Sequence, residues 1–153
     1  ASQRHKHLQL VPLPFTPTGP PIPIETALEK AHFPGPVGTV PNLPFKHALV
    51  RFAPDHFRSP LKAAQATFKH YGLMLEAMSL HSGTEGSPPA PYNLLVTRAW
   101  MLLVPRSREA FASIQVNALG FAGALLVRTP QQIQTLKDHG PLSLLKQVAV
   151  PTD

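Results

Sequence analysis

The chain has 153 residues, 43% of them apolar, with 19 prolines, no cysteine and a formal net charge of +6 at pH 7. This length is typical of one domain with a real core, and the lack of cysteine excludes disulfide bonds, thiolate metal ligands and a cysteine nucleophile. The positive charge favours a small phosphate-bearing ligand or no specific one, because the basic residues form no run and are not interleaved with aromatics as in nucleic-acid-binding proteins.

The N-terminal segment carries the most informative pattern. Residues 5–9 are His-Lys-His-Leu-Gln, and an extended strand would place His5, His7 and Gln9 on one face. Imidazole is a good nucleophile at neutral pH, and a neighbouring amide can hydrogen-bond a phosphoryl oxygen without adding charge. The pattern predicts a catalytic strand at 1–13 that transfers a phosphoryl-type group through a covalent histidine. Taken alone, a histidine pair is also typical of a metal site or of an exposed edge strand.

Six prolines at residues 12–23 separate this segment from the next predicted elements. The sequence predicts a short helix at 24–33 and a strand at 45–52, in which His47 is expected to be a structural histidine. Ser59 and Pro60 begin the longest predicted helix, where apolar residues recur at spacings of three and four. The spacing predicts one buried stripe, made of Leu61, Ala64, Phe68, Tyr71, Leu75 and Met78.

The second half of the chain predicts a hairpin followed by helices. Strands at 92–97 and 100–105 are separated by only two residues, which favours a tight turn between them. An apolar stretch with two glycines follows at 114–127, and helices are predicted at 129–139 and 142–148. Together these elements predict an irregular α+β protein with short helices and strands.

Two segments resemble the diadenosine tetraphosphate phosphorylases, also called ATP adenylyltransferases, of the histidine-triad and galactose-1-phosphate uridylyltransferase superfamily. The first is SQRHKHLQ at residues 2–9. The second is a region at about 90–150 that contains YNLLVTRAWM, Val-Pro-Arg and NALGFAG. The resemblance implies an α+β, histidine-triad-like antiparallel sheet with flanking helices, with the chain as the C-terminal part of a longer nucleotidyltransferase fold.

The resemblance also implies a reaction. His7 would attack the α-phosphorus of diadenosine tetraphosphate and hold AMP covalently, and inorganic phosphate would then take the AMP, so that the products are ATP and ADP. The family implies that the backbone carbonyl of His5 fixes the tautomer of His7 and that Gln9 contacts the phosphoryl oxygens. Histidine-triad hydrolases have a third histidine where this chain has Gln9. Because glutamine cannot act as an acid or base, it fits transfer to phosphate better than hydrolysis.

Other polar residues of the two segments are candidate ligands for substrate and phosphate. They are Ser2, Gln3, Asn93, Thr97 and Arg106. A guanidinium suits phosphate because its planar fork forms paired hydrogen bonds, and Arg106 is preferred over Arg98 and Arg108 because it lies in the family-like Val-Pro-Arg. No residue is assigned to a metal, and the one cofactor considered is a divalent cation such as magnesium, bound with the nucleotide.

The expected partners are a dinucleoside polyphosphate, ATP, ADP, AMP and phosphate, with no membrane and no nucleic acid. The family's catalytic strand lies near the middle of a longer chain, so we expect either a fragment or a second polypeptide that supplies the N-terminal half. Three alternatives stay open: a hydrolase, an adenylyltransferase on another nucleotide such as adenosine phosphosulfate, and an incomplete nucleotide- or partner-binding module. The opening residues lack the pattern of a signal peptide, and we expect a cytoplasmic location.

Overall fold

The centre of the fold is a three-stranded antiparallel sheet in the order β1-β3-β2. A computed structural model describes residues 7–80 and 90–152. The strands are β1 (Ala48–Arg51), β2 (Tyr92–Val96) and β3 (Trp100–Pro105). The last two form the predicted hairpin, in which Leu95 lies opposite Leu102. The α+β, antiparallel fold class predicted from the sequence is therefore confirmed.

The central strand β3 is buried on both faces of the sheet. Trp100, Leu102 and Val104 pack into the larger of two hydrophobic clusters, and Met101 and Leu103 pack into the smaller one. This division follows from strand geometry, since successive side chains point to opposite faces. Because both faces are covered, the strand is a continuous apolar run rather than an alternating one.

The larger cluster is covered by short helices and a small hairpin. The helices are α1 (Glu25–Leu28), α3 (Ala118–Phe121), α4 (Pro130–His139) and α5 (Pro141–Val148), and the hairpin consists of β4 (Ala110–Phe111) and β5 (Ile114–Gln115). The rings of Phe45 and Phe121 meet edge to face at its centre, with 5.4 Å between centroids. Within the described residues, no helix is long and apolar enough to cross a membrane.

The segment after α5 pairs with two distant parts of the chain, the residues before β1 and those at the end of β3. The backbone N–H of Lys46 donates to the Val150 carbonyl at 2.8 Å, and the N–H of Val150 donates to the Pro105 carbonyl at 3.0 Å. Phe45 pairs with Pro151 in the same way, as an isolated bridge. Residues near 45, 105 and 150 are thus held together by backbone hydrogen bonds.

The helix α2 (Pro60–Ala77) covers the smaller cluster, and the second half of the predicted stripe, Tyr71, Leu75 and Met78, packs against it as predicted. The first half of the stripe does not. Leu61 and Phe68 are 70% and 75% exposed, so the prediction that they are core residues is wrong. Ala64 is exposed as well. The inward line instead runs through Ala63, Thr67, His70 and Met74. Two of these four residues are polar, and they face a one-turn 3-10 helix at His56–Arg58.

The helix starts are as predicted, with proline at the first position in both α2 and α4. Thr129 caps α4, because its hydroxyl accepts a hydrogen bond from the Gln132 N–H at 3.2 Å. Ser59 occupies the corresponding position before α2 in an extended conformation, but its side chain forms no capping hydrogen bond. The first predicted helix, at 24–33, is limited to the four residues of α1.

The predicted N-terminal strand is wrong for the part that the structure describes. Residues 7–13 have no regular secondary structure, and Leu8 and Leu10 are 91% and 100% exposed. A strand is stabilised by hydrogen bonds to a neighbouring strand, and within residues 7–80 and 90–152 no strand pairs with this segment. Its alternating leucines therefore have no sheet to cover.

Candidate functional site

The predicted histidine motif lies on the exposed N-terminal segment. His7 and Gln9 are both exposed, in backbone of irregular conformation. Ser2, Gln3 and His5 fall outside the described residues. The roles of His7 and Gln9 in catalysis therefore stay predictions.

The structure brings together two of the other predicted ligands, Asn93 and Arg106. Asn93 lies on β2 opposite Val104, and Arg106 directly follows β3. The Nη1 group of Arg106 donates a hydrogen bond to Oδ1 of Asn93. The two family-like residues therefore form one polar unit at the end of the β2–β3 hairpin.

Arg106 donates to backbone carbonyls from three parts of the chain. Its Nε group donates to Val148 at 3.1 Å and to Arg108 at 3.2 Å. Its Nη1 group donates to Val116 at 2.9 Å, and its Nη2 group donates to Arg108 at 2.7 Å and to Glu109 at 3.2 Å. With Asn93, these acceptors engage all N–H groups of the guanidinium. A phosphate could bind Arg106 only by replacing one of these bonds.

The environment of Arg106 combines burial with positive charge. Its guanidinium carbon lies 5.4 Å from the centroid of the Phe121 ring, in cation–π geometry. Burial lowers the pKa of Arg106 and the Glu109 carboxylate raises it, but a guanidinium remains charged at neutral pH in proteins. A cavity of about 230 Å³ beside it is also lined by Lys46 and Ser79. The two cations suit an anion of phosphate size.

Thr97, the remaining predicted ligand, closes the β2–β3 turn. Its hydroxyl oxygen accepts hydrogen bonds from the backbone N–H groups of Ala99 and Trp100, each at 3.0 Å. The hydroxyl also lies 3.3 Å from the Trp100 carbonyl and donates to it. These bonds account for a polar residue in an otherwise apolar hairpin, and contact with a nucleotide stays a prediction.

A second cavity, of about 270 Å³, contains a polar pair that sequence reasoning missed. Nε1 of Trp100 donates to the Glu25 carboxylate at 3.0 Å, and Nη2 of Arg51 donates to the Leu28 carbonyl at 2.7 Å. Glu29 also lines this cavity. A buried indole N–H needs an acceptor, but the sequence does not indicate which of the distant carboxylates supplies it.

His47 is buried and fully hydrogen-bonded, as expected of a structural histidine. Its Nε2 atom accepts from the Val40 N–H at 2.8 Å, so the ring proton is on Nδ1, which donates to the Phe45 carbonyl at 2.7 Å. Burial lowers the pKa of His47, and the bond to Phe45 partly opposes that effect. Across residues 7–80 and 90–152, no group of three or more histidine, cysteine or acidic side chains could hold a metal ion.

This sheet, with helices on both faces, has the fold of a yeast Ap4A phosphorylase. The crystal structure of a yeast Ap4A phosphorylase in complex with Ap4A is similar over 80% of this chain and 40% of that chain, with a TM-score of 0.58 and 20% sequence identity. The complex of the same yeast protein with AMP gives a TM-score of 0.59 at 19% identity, over 81% of this chain and 42% of that chain. At these identities the similarity establishes the fold.

The sequence match establishes the family. Residues 41–151 match the ATP adenylyltransferase C-terminal domain, and the chain belongs to that family. Residues 1–30 match the Ap4A phosphorylase N-terminal domain, so the histidine motif falls in the N-terminal match. The diadenosine tetraphosphate phosphorylase 2 of Saccharomyces cerevisiae is 28% identical over an alignment 153 residues long. The aligned part covers 90% of this chain and 44% of the yeast protein. The chain thus spans less than half the length of this relative.

Proposed function

We propose that this chain supplies part of the active site of a diadenosine tetraphosphate phosphorylase, with His7 as the nucleophile. The observation that carries the proposal is the pair of adjoining family matches, at 1–30 and 41–151, the first of which contains the His-Lys-His-Leu-Gln motif. The fold supports it, since the similar yeast structures include complexes with Ap4A and AMP.

The reaction has two steps that use the same histidine. An imidazole nitrogen of His7 forms a bond to the α-phosphorus of one adenosine, while the bond to the bridging oxygen breaks and ATP leaves. An oxygen of inorganic phosphate then attacks the same phosphorus, the nitrogen–phosphorus bond breaks, and ADP is released. Gln9 would donate from its amide to the phosphoryl oxygens, where negative charge increases in each transition state.

The cavity beside Arg106 is the proposed entry for phosphate. Lys46 and Arg106 provide positive charge there, and this field attracts an anion even while the guanidinium donates to protein carbonyls. In this proposal Arg106 also positions the Asn93 side chain on β2. A direct bond from Arg106 to phosphate would require exchange with one of its present acceptors.

In this proposal, further residues of the N-terminal domain pack against the exposed N-terminal segment. Leu8, Leu10 and Leu13 are exposed, and large apolar side chains in this position need cover. The segment matches a domain of which this chain contains only residues 1–30, and relatives are more than twice as long. The remainder of that N-terminal domain, on the same or a second polypeptide, would cover these leucines and complete the nucleoside pocket.

Intact-protein mass spectrometry tests the mechanism. The chain, together with a polypeptide that carries the remainder of the N-terminal domain, is exposed to diadenosine tetraphosphate without phosphate, with and without magnesium. We expect one added AMP on this chain, its loss on addition of phosphate with release of ADP, and no adduct in His7→Ala. His139→Ala, a change to an exposed histidine on α4, is the matched control and should form the adduct.

Three results would contradict the proposal. Products that form without phosphate would identify a hydrolase, and a faster reaction with adenosine phosphosulfate would identify a different adenylyltransferase. Nucleotide binding without an adduct, in the complete assembly, would identify a binding module.

A further inference from the structure

Four rings join the 3-10 helix at His56–Arg58 to α2 and to the end of β1. The His56 ring stacks on Phe52, with 4.2 Å between centroids and 18° between planes. Phe57 meets both rings edge to face. His70, from the inward line of α2, lies 6.0 Å from the Phe52 centroid and 6.2 Å from that of His56. These four rings, Phe52, His56, Phe57 and His70, form the contact between the 3-10 helix and α2, which we call the seam.

The two histidines of the seam have different hydrogen bonds. Nε2 of His56 lies 2.9 Å from the Thr67 hydroxyl, so its ring is anchored to α2. Nδ1 of His70 is buried and has no hydrogen-bond partner among the described residues. In the neutral ring the proton can be on Nε2, and Nδ1 is then an acceptor that forms no hydrogen bond. Protonation would add a buried N–H with no acceptor, which is the more costly state.

The charges around His70 also oppose a proton on its ring. Lys69 on α2 and His56 on the 3-10 helix both disfavour a positive charge on the His70 ring. The 3-10 helix also carries Arg58 and is preceded by Asp55, and Arg51 on β1 is directed to the Leu28 carbonyl. Burial, followed by His56 and Lys69, lowers the pKa of His70.

We propose that the seam is an acid-sensitive joint: a proton on His70 loosens the 3-10 helix from α2 and exposes Phe52. The direction follows from proton linkage. When the seam opens, His70 returns to water and binds a proton near its ordinary pKa of 6.5, whereas in the closed seam its pKa is lower. The open population therefore rises as pH falls below 6.5, by up to tenfold per pH unit for one proton. This inference does not depend on the proposed enzymatic activity.

Hydrogen exchange measured by mass spectrometry between pH 7.5 and pH 5.5 tests the seam in the whole chain. After correction for intrinsic exchange, peptides that cover residues 52–70 should lose protection by up to tenfold per pH unit, while peptides from α5 should change less. In His70→Gln, which replaces the ring with a neutral amide, the additional loss of protection at residues 52–70 relative to α5 should disappear. His32→Gln, a change to an exposed histidine, is the control and should behave as the wild type.

A second measurement covers the case in which His70→Gln does not fold. In the wild-type chain, NMR should show the ring protons of Phe52 shifting with the same midpoint as the His70 ring, below pH 6.5. Protection of residues 52–70 that is independent of pH would overturn the proposal. So would an undiminished slope in His70→Gln, equal loss of protection throughout the chain, or titration of His70 without a response from Phe52.

Discussion

Replacement of Arg106 should destabilise the domain far more than removal of a surface charge. Val148 and Glu109 keep backbone N–H donors to their carbonyls when the guanidinium is absent, and the carbonyl of exposed Arg108 can turn to water. The Val116 carbonyl belongs to a buried residue and loses its donor, which costs about 1–3 kcal/mol. Loss of the cation–π contact adds about 0.5–1 kcal/mol. We therefore expect Arg106→Ala to lower the free energy of unfolding by about 1.5–4 kcal/mol, the sum of these two contributions.

Arg106→Lys separates charge from geometry. An ammonium keeps the positive charge but cannot reach carbonyls on several sides at once, so this variant should lose more than half of the stability that Arg106→Ala loses. The matched control is Arg108→Ala, which removes the same charge from an exposed neighbour and should change stability by less than about 0.5 kcal/mol.

Urea denaturation followed by circular dichroism at pH 7 measures these differences, provided that the dependence on urea concentration stays the same in all variants. Equal stability of Arg106→Ala and Arg108→Ala would refute the reasoning. A free energy of unfolding of Arg106→Lys equal to that of the wild type would show that the positive charge alone, and not the guanidinium geometry, stabilises the domain.

Three further predictions concern the core and the backbone. Because burial lowers the pKa of His47, the unfolded chain binds a proton that the folded chain excludes, so stability should be constant above pH 6.5 and fall below it. Urea midpoints at pH 7.5 and pH 5.5 should differ less in His47→Asn than in the wild type. Gly123→Ala should cost more than about 1 kcal/mol, since its φ is +99° and a Cβ would lie 2.6 Å from Pro23, whereas Gly35→Ala, with open space, should be near neutral in the same assay. Leu103→Ala should cost roughly 2–5 kcal/mol in thermal or urea unfolding, because the side chain is fully buried.

Elements with local signals were predictable from the sequence. The short turn at residues 97–99 between β2 and β3 fixes the hairpin, and the Thr129-Pro130 pair fixes the start of α4. The buried face of α2 was predicted only in its second half, at Tyr71, Leu75 and Met78. Thr67 and His70 are polar, and they face inward because Phe52 and His56, which the sequence places in another element, provide a matching surface.

The candidate site shows the same division. The sequence indicated Asn93 and Arg106 separately as candidate ligands, and the structure places them in contact. The acceptors that engage the rest of the guanidinium are main-chain carbonyls, which carry no signature in the side-chain pattern. The strand predicted at 1–13 is absent from its described residues, 7–13, for a related reason, since a strand depends on hydrogen bonds to a neighbouring strand as much as on its own alternation.

The backbone pairing near Val150 has a consequence for the order of events during synthesis. Lys46 and Pro105 are bridged through Val150, and Arg106 reaches the Val148 carbonyl. A nascent chain that extends only through α4 has the three strands of the central sheet but lacks these contacts, so the N-terminal end of β1 and the C-terminal end of β3 are not yet bridged. These contacts can form only after residues 148–150 have been synthesised, and until then the unpaired backbone groups between the two strand ends favour association with other chains.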